Sequence, residues 1–399
     1  MIAPYHRDEL PDDVDHSTFG REIPQITLTT EDCPVDRIRR ESETFAFVPS
    51  TVIPSNTPGA QIYGQCDAKL SHALSGPVST TLFLPDHAAL IEFDGRQNLL
   101  HESIWHTHLF YSEHFRNDRS TKWNWRTVYD GKPDVSIPQL VMNCYHRFSY
   151  QYFHWFVEVM PRVWLASRSG FKPRDALWFL GPLTQPFQRP SLELFGIYPS
   201  DICDVPDTAI VAFQRATNAA FAFDEPLGTL RPSFTSGKYH VGWSKDYLNE
   251  IRDRAYFALK VPRISGDKKI FIDRRKATHR KIVNQEAVIN EVQKAGFEII
   301  DPGVMDFADQ IRCFSQARII LAPHGAGLTN VIWAPPGAIV AEFMPIGLND
   351  VGYRFLAPLC GHKHMVLFCK VFSHELGIPY ADIEVDLHDV RRLMKILVK

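Results

Sequence analysis

The sequence has few cysteines and no spacing that would make them a disulfide framework or a zinc site. Seven cysteines are scattered over 399 residues, and no two are spaced CxxC. This number and spacing are typical of a protein in a reducing compartment. A disulfide-stapled secreted domain and a zinc ribbon are therefore excluded as classes.

Long apolar runs and an excess of positive charge are also lacking. No window approaches the roughly 20 apolar residues of a membrane helix, and the start, MIAPYHRDELPDDVDH, carries early acids and no apolar core. We therefore expect no signal peptide, no transmembrane segment and a cytoplasmic protein, which allows peripheral contact at the inner face of a membrane. The formal net charge of −3 argues against a general nucleic-acid binder, which would need a basic face.

What the sequence does contain is an alternation of strand and helix patterns. ALIEF, ALWFLG, AIVAF, KKIFID, FEIID, RIILAP and AIVAEF predict strands, and periodic stretches predict helices over residues 244–260, 284–295, 307–317, 351–360 and 386–397. Such alternation is typical of an α/β fold with a parallel sheet. We predict an irregular N-terminal extension over residues 1–45, two α/β domains over 46–243 and 244–385, and a closing helix over 386–399.

The strongest motif is a small-residue turn between a strand and a helix, APHGAGLTNVIW. Small residues there let backbone N–H groups approach an anion, and the helix start adds partial positive charge. The next strand is predicted to end in Glu342, at the sheet edge where a carboxylate can accept hydrogen bonds from ribose hydroxyls. The candidate binding residues are His324, Gly325, Ala326, Gly327, Leu328, Thr329, Asn330 and Glu342. Alternatively, the glycines only turn the chain and Glu342 is a surface acid.

A basic loop, DRRKATHRK, follows the predicted strand KKIFI. Guanidinium groups match diphosphate oxygens in two-point fashion, so Arg274, Arg275 and Arg280 are candidate phosphate ligands. An enzyme without a metal ion needs such cations to stabilise a departing diphosphate. The alternative is a solvated run of charge, but the position of the loop, after a strand of the same sheet as the glycine turn, favours phosphate binding.

An aromatic helix is predicted over residues 152–168, with a kink or break at Pro161. His154 and Glu158 lie four residues apart and hence on one face of this helix. A partly buried carboxylate has a raised pKa, as a general base requires, so Glu158 and its neighbour His154 are candidate catalytic residues. Alternatively, Glu158 forms a structural salt bridge with Arg162.

Metal-binding patterns are weak. Asp13 and Asp15 have a DxD spacing that can hold manganese, but no hydrophobic strand precedes them. His362 and His364 form an HxH pair without an acid close by in sequence and are expected to be surface histidines. We predict no metal site and no cofactor.

Together these segments resemble the family 61 glycosyltransferases, which include plant xylosyl- and arabinosyltransferases and animal O-linked N-acetylglucosaminyltransferases. The resemblance runs over residues 152–360 and is most specific in DRRKATHRKIVNQE, DPGVMDFADQIRCFSQA and APHGAGLTNVIWAPPG with Glu342. It implies a GT-B fold, in which two Rossmann-like domains face a cleft, with residues 46–243 on the acceptor side and 244–385 binding a nucleotide sugar.

The resemblance also implies residue roles. Arg274 and the HGAG turn would contact the donor diphosphate, Glu342 would lie near the ribose, and His154 with Glu158 would match an H-x-x-x-acid pattern that supplies the base. Asp273 stands where a serine is common, and an acid beside the phosphates opposes donor binding unless it points away or pairs with an arginine.

The expected activity is metal-independent, inverting transfer of a sugar from a nucleotide sugar, with a UDP-sugar as the expected donor. The expected acceptor is a hydroxyl of a glycan or glycolipid in surface polysaccharide synthesis. The alternative is a catalytically inactive nucleotide-sugar-binding scaffold or regulatory module, which the acid at Glu158 disfavours.

Overall fold

The computed structural model describes parts of two compact units. The described residues are 39–47, 51–53, 66–84, 89–92, 98–99, 133–146, 148–168, 171–206, 209–224, 244–263, 266–348, 350, 352–373 and 377–398. Residues 70–223 belong to the first unit, and residues 44–69 and 243–399 belong to the second. Of the predicted extension over residues 1–45, only 39–45 lie within the described residues.

The first unit is built on a mixed sheet. The strands in this part of the chain are β1 (Arg39–Phe47), β2 (Thr51–Val52, which joins the other sheet), β3 (Cys66–Leu84), β4 (Ala89–Glu92), β5 (Asn98–Leu99), β6 (Val135–Asn143), β7 (Leu177–Phe179) and β8 (Val211–Asp224). The order is β5-β4-β3-β8-β6-β7, with β1 beside β3. β6 is parallel to both β7 and β8, whereas β3, β4 and β5 pair antiparallel. β1 replaces part of the expected irregular extension; its first six residues are polar, so the sequence shows no strand signal there.

A helix that is widened at its centre follows β6. Helix α1, residues 152–168, consists of an α-helical start, Tyr152–His154, a π-turn, Trp155–Val159, and an α-helical remainder, Met160–Arg168. Pro161 has no N–H to donate, and its ring would collide with the carbonyl of residue 157 in a regular α-helix. The π-turn accommodates the proline and interrupts the regular α-helix beside it, which agrees with the predicted break, and π-turns are frequent at functional sites.

The second unit contains a sheet with doubly wound order. Its other strands are β9 (Lys268–Ile272), β10 (Glu298–Ile300), β11 (Ala317–Pro323), β12 (Ile339–Pro345), β13 (Lys363–Ser373) and β14 (Asp382–Glu384). Further helices among the described residues are α2 (Gln188–Glu193, in the first unit), α3 (Lys245–Leu259), α4 (Gln285–Lys294), α5 (Phe307–Phe314), α6 (Gly352–Leu359) and α7 (Leu387–Leu397), with 3-10 helices at Pro173–Asp175, Pro199–Asp201, Pro302–Val304, Ala326–Trp333 and Ile378–Tyr380. The strands β10-β9-β11-β12-β13 are all parallel, β2 is parallel to β13, and β14 is antiparallel to it.

This order creates a switch point between β9 and β11. From β9 the chain moves to β10 on one side and then to β11 on the other, which is the 2-1-3-4-5 order of flavodoxin-like sheets. Ligands of such sheets bind at the carboxyl ends of the strands on either side of the switch point. Here those ends are Ile272, before the basic loop, and Pro323, before the HGAG turn. The sheet therefore places both candidate segments at one edge.

The two faces of this sheet have different roles. Phe271, Leu321 and Phe343 are fully buried and pack in one cluster with apolar residues of α4 and α7. Each such side chain contributes about 1.5–3 kcal/mol by burial. Because side chains alternate along a strand, Glu342 and His364 belong to the opposite face, and the 3-10 helix Ala326–Trp333 and α6 contact strands from this sheet.

The α/β class and its parallel-rich sheets are confirmed, as are the strands and helices predicted after residue 244. β13 and β14 were not predicted, although MVLFC in β13 is the continuous apolar run of a strand buried on both faces. The predicted end of β12 at Glu342 is wrong, because the strand continues to Pro345 and buries the acid within it. Within the described ranges, the structure contains no helix with the length and apolar character that crossing a bilayer requires.

Candidate active site

The basic loop and the glycine turn meet at the switch point. The guanidinium of Arg274 approaches Gly325 so closely that a Cβ at Gly325 would overlap it. Nη2 of Arg274 donates to the carbonyl oxygen of His279 at 3.1 Å. Its Nε atom is buried and has no hydrogen-bond partner among the described residues. Buried polar groups are normally satisfied, so this donor is available to bind an anion.

A second cation strengthens this preference for an anion. Burial, and next the charge of Arg280, lower the pKa of Arg274 to about 10, so it remains positive at neutral pH. Arg280 has a left-handed backbone with φ 58°, and its Nε is likewise without a hydrogen-bond partner in the described part of the chain. Like charges this close disfavour each other, and a bound anion would relieve the repulsion.

Arg275 has a different position from its neighbour. It lies 2.6 Å from Asp273 and 2.7 Å from Glu286, and it is about half exposed. Asp273, the acid expected to oppose donor binding, therefore pairs with an arginine. Arg275 neutralises that acid, whereas Arg274 is the cation in contact with the turn.

A chain of charged groups lies next to the HGAG turn. Nδ1 of His324 is 2.5 Å from Oε1 of Glu342, and its Nε2 is 3.3 Å from Oδ2 of Asp350. Oε2 of Glu342 is 3.2 Å from Nε2 of His364. Burial lowers the pKa of His324, but the two carboxylates raise it more, to about 9, so His324 is an imidazolium at neutral pH. Burial raises the pKa of Glu342, yet the histidines outweigh this and hold it below its ordinary value.

These contacts bear on the roles expected of His324 and Glu342. Glu342 is 1% exposed, so the alternative that it is a surface acid is wrong. Both ring nitrogens of His324 face carboxylates, and both oxygens of Glu342 face histidines. Direct bonding of His324 to phosphate would require one of these contacts to break, whereas Glu342 keeps free lone pairs but is too buried for a ribose hydroxyl to reach without movement of its neighbours. Asp350 is the acid of this group that reaches the surface, with 40% of its side chain exposed.

Helix α6 holds the turn from the interior. Oη of Tyr353 donates to the carbonyl oxygen of Gly325 at 2.8 Å and lies 3.2 Å from Oγ1 of Thr329. The side chains of Leu328, Thr329 and Asn330 are all buried, whereas Ala326 and Gly327 are partly exposed. The backbone at Ala326 and Gly327 is thus the part of the motif that a ligand can approach.

In the first unit, Glu158 lies between two histidines. Its Oε2 is 2.5 Å from Nδ1 of His154 and 2.7 Å from Nε2 of His146, which follows β6. Burial opposes ionisation, but His146 and His154 outweigh it and hold the pKa of Glu158 well below its ordinary value. The predicted raised pKa is therefore wrong, because the sequence does not reveal His146 as a neighbour. Arg162, the alternative partner, donates from Nη1 to the carbonyl oxygen of Tyr145 at 2.8 Å.

The contacts of the two histidines define where their protons lie. The N–H of Phe148 donates to Nδ1 of His146 at 3.1 Å, so neutral His146 carries its proton on Nε2, towards Glu158. Ionised Glu158 accepts from Nδ1 of His154 in the same way, and in the neutral form of His154 the other ring nitrogen, Nε2, then carries the lone pair. The side chain of His154 is 25% exposed against 10% for Glu158. His154 is therefore the member that can accept a proton from a substrate hydroxyl.

The same three side chains have the spacing of a metal site among the described residues. One ligand atom each from His146, His154 and Glu158 lie within 4.8 Å of one another. A metal-bound histidine normally donates its other ring N–H to an acceptor. His146 cannot do so while its Nδ1 accepts from Phe148. The group fits proton transfer better than it fits a divalent cation.

Several residues of these clusters were missed or misplaced by sequence reasoning. His362 and His364, predicted at the surface, are each 5% exposed; His364 lies within the buried strand β13, and His362 lies immediately before it. His146 follows the carboxyl end of β6, and Asp350 and Tyr353 follow that of β12. Ligands of open α/β sheets bind at the carboxyl ends of the strands, and a search of the segments after β6 and β12 on this ground would have found His146, Asp350 and Tyr353.

The chain is similar to a known family over a stretch that includes His154, Glu158, the basic loop and the HGAG turn. Residues 152–341 match the family described as Glycosyltransferase 61.

Curated relatives are similar over part of this stretch. Protein O-linked-mannose beta-1,4-N-acetylglucosaminyltransferase 2 of Xenopus tropicalis is 32% identical over 142 residues, 33% of this chain and 25% of the relative. EGF domain-specific O-linked N-acetylglucosamine transferase of Bos taurus is 29% identical over 153 residues, 36% of this chain and 28% of the relative. Beta-1,2-xylosyltransferase XAX1 of Oryza sativa subsp. japonica is 31% identical over 111 residues, 26% and 19% of the two chains. The chain thus spans about a quarter of the length of the curated relatives it matches.

Proposed function

We propose, on the premise that this chain belongs to the glycosyltransferase 61 family, that it is an inverting glycosyltransferase which takes its sugar from a nucleotide sugar. The proposed donor is a UDP-sugar, and the acceptor is a hydroxyl of a glycan or glycolipid in surface polysaccharide synthesis. The second unit binds the donor and the first supplies the base, in correspondence with the two domains of a GT-B fold. We place the protein in the cytoplasm, with peripheral contact at the membrane.

The observation that carries the donor side is the pair of guanidinium groups at the switch point. Arg274 and Arg280 form no salt bridge within the described part of the chain, and the Nε of each is buried without a partner. A diphosphate would neutralise both cations and accept from both Nε atoms; hydrogen bonds to charged groups contribute about 1.5–3 kcal/mol each. These fixed cations replace a metal ion in the proposal, which includes no metal and no other cofactor.

The proposed chemistry is a single in-line displacement. The acceptor hydroxyl gives its proton to Nε2 of His154 as its oxygen bonds to the anomeric carbon. The bond from that carbon to the diphosphate oxygen breaks, and its electron pair leaves with the nucleoside diphosphate. Glu158 stabilises the imidazolium formed on His154, and Arg274 stabilises the departing charge. Proton transfer is thus assigned to His154, in place of the Glu158 base expected from the sequence.

The Arg274→Ala variant tests the donor site, with Arg275→Ala as its control. Loss of Arg274 should weaken binding of UDP by about 1.5–3 kcal/mol and leave uridine, which has no phosphate, unchanged. Arg275→Ala removes an equal charge from the same loop together with the ion pairs to Asp273 and Glu286. Because it leaves Asp273 without its arginine it should weaken UDP binding, but by less than Arg274→Ala does. Calorimetry measures binding, and release of UDP from UDP-sugars measures turnover.

Two results would oppose the proposal. Equal weakening of UDP by both variants, or of UDP and uridine by Arg274→Ala, contradicts a diphosphate site at Arg274. Tight binding of nucleotide sugars without hydrolysis or transfer would favour the inactive scaffold.

A further inference from the structure

Tyr353 fixes one peptide of the HGAG turn, the one between Gly325 and Ala326. The carbonyl oxygen of Gly325 accepts from Oη of Tyr353 at 2.8 Å and from the N–H of Leu328 at 2.9 Å. Tyr353 is 3% exposed, and burial raises the pKa of its hydroxyl, which therefore stays protonated and remains a donor. These two bonds hold the carbonyl towards the interior.

The orientation of this carbonyl determines that of the next N–H. In a trans peptide the C=O and the following N–H point in opposite directions, so the N–H of Ala326 points away from Tyr353. Ala326 is partly exposed and is the first residue of the 3-10 helix Ala326–Trp333, where backbone donors have no partner within the helix. Glycine at position 325 leaves the peptide free to rotate, so its orientation depends on what holds the carbonyl.

We propose that Tyr353 is a positioning residue for donor binding, whose hydroxyl holds the Gly325–Ala326 peptide so that the Ala326 N–H donates to the diphosphate of a nucleotide. The inference rests on the proposed function, and Tyr353 itself does not touch the ligand. Thr329 supports the hydroxyl from 3.2 Å, and the ring of Tyr353 packs against His324 with 5.5 Å between ring centroids. The substitution Tyr353→Phe keeps the ring and removes only the hydroxyl.

A second tyrosine supplies a matched control. Oη of Tyr256 donates to the carbonyl oxygen of Trp333 at 2.6 Å, at the other end of the same 3-10 helix. Like Tyr353, Tyr256 is buried. The variants Tyr353→Phe and Tyr256→Phe each remove one buried bond from a tyrosine to a backbone carbonyl, and should lower the melting temperature to a similar extent. If only Tyr353→Phe also weakens ligand binding, its hydroxyl positions the turn and does more than stabilise the fold.

Calorimetry of the wild-type protein with ADP, CDP, GDP and UDP first identifies a nucleoside diphosphate that binds. For that ligand, Tyr353→Phe should weaken binding on the order of ten-fold, which corresponds to about 1.4 kcal/mol. Affinity for the matching nucleoside should not change, and Tyr256→Phe should change neither. Thr329→Val, as a second variant, should give a smaller loss that is again confined to the diphosphate.

The outcomes distinguish the inference from the proposed function. Unchanged diphosphate affinity in Tyr353→Phe, or equal losses in the two tyrosine variants, overturns the inference and leaves the donor site standing. Failure of the wild-type protein to bind any of the four nucleoside diphosphates overturns the proposed function, and the inference with it.

Discussion

The charge on His324 makes a contribution to stability whose size follows from its surroundings. Its pKa is about 9 in the folded protein and about 6.5 in an unfolded chain. Because the folded-state pKa is the higher one, the stabilisation is fully present below pH 6.5 and is lost as the pH rises through 9. At 1.36 kcal/mol per pKa unit the difference corresponds to about 3 kcal/mol. His324 is 4% exposed, so solvent screens little of this.

Denaturant unfolding of the wild-type protein and of His324→Gln, at pH 6 and at pH 10, measures this contribution. Glutamine keeps size and polarity but does not titrate. The wild type should have a higher free energy of unfolding than the variant. This difference between the two proteins should be about 3 kcal/mol larger at pH 6 than at pH 10. Groups that do not contact His324 titrate alike in both proteins and cancel in the comparison.

His362 is the control for a buried histidine without the charge. Burial lowers its pKa to about 4, and its Nε2 is 2.8 Å from the carbonyl oxygen of Val331. It is neutral in the folded protein at both pH values but partly protonated in the unfolded chain at pH 6, so the wild-type advantage over His362→Gln should be smaller at pH 6 than at pH 10, by less than about 1 kcal/mol. If the advantage over His324→Gln is likewise no larger at pH 6 than at pH 10, the account of a buried imidazolium is refuted.

Two further predictions concern the reaction. Glu158→Gln removes the carboxylate that stabilises the imidazolium of His154. Turnover per folded molecule should fall roughly 100-fold or more, with donor affinity unchanged. A folded His154→Gln enzyme with near-normal turnover would exclude Nε2 of His154 as the proton acceptor. Transfer should continue at the same rate in excess chelator, and complete loss that added manganese restores would contradict a mechanism without metal.

The sequence predicts which segments form the candidate site better than it predicts the contacts between those segments. The strand before the basic loop and the strand before the HGAG turn are readable from their apolar runs, and the family resemblance they supported is confirmed. Their adjacency depends on strand order, and the sequence does not state that β9 and β11 are neighbours. The contact between Arg274 and Gly325 follows only from that order.

The environments of buried charged side chains are the features that the sequence predicts least well. The sequence predicts Glu342 at the end of its strand, on the ligand-binding edge, whereas two histidines compensate for its burial within the strand. For Glu158 the sequence predicts a raised pKa from its place on an apolar helix, whereas His146, from the segment after β6, helps to lower it. In both cases the deciding partner is distant in sequence, and local spacing carries no signal for it.

The π-turn at Trp155–Val159 makes helix α1 sensitive to chain length. A π-turn accommodates one residue more than the α-helical turn it replaces. Deleting one residue there would rotate Tyr152–His154 about the helix axis relative to Met160–Arg168, and would bring Pro161 into the collision that the π-turn accommodates. His154 would then face a different direction relative to the rest of the helix. Homologous chains that differ by a single insertion at this point should therefore be aligned by helix face, since an ungapped alignment would pair residues that point in different directions.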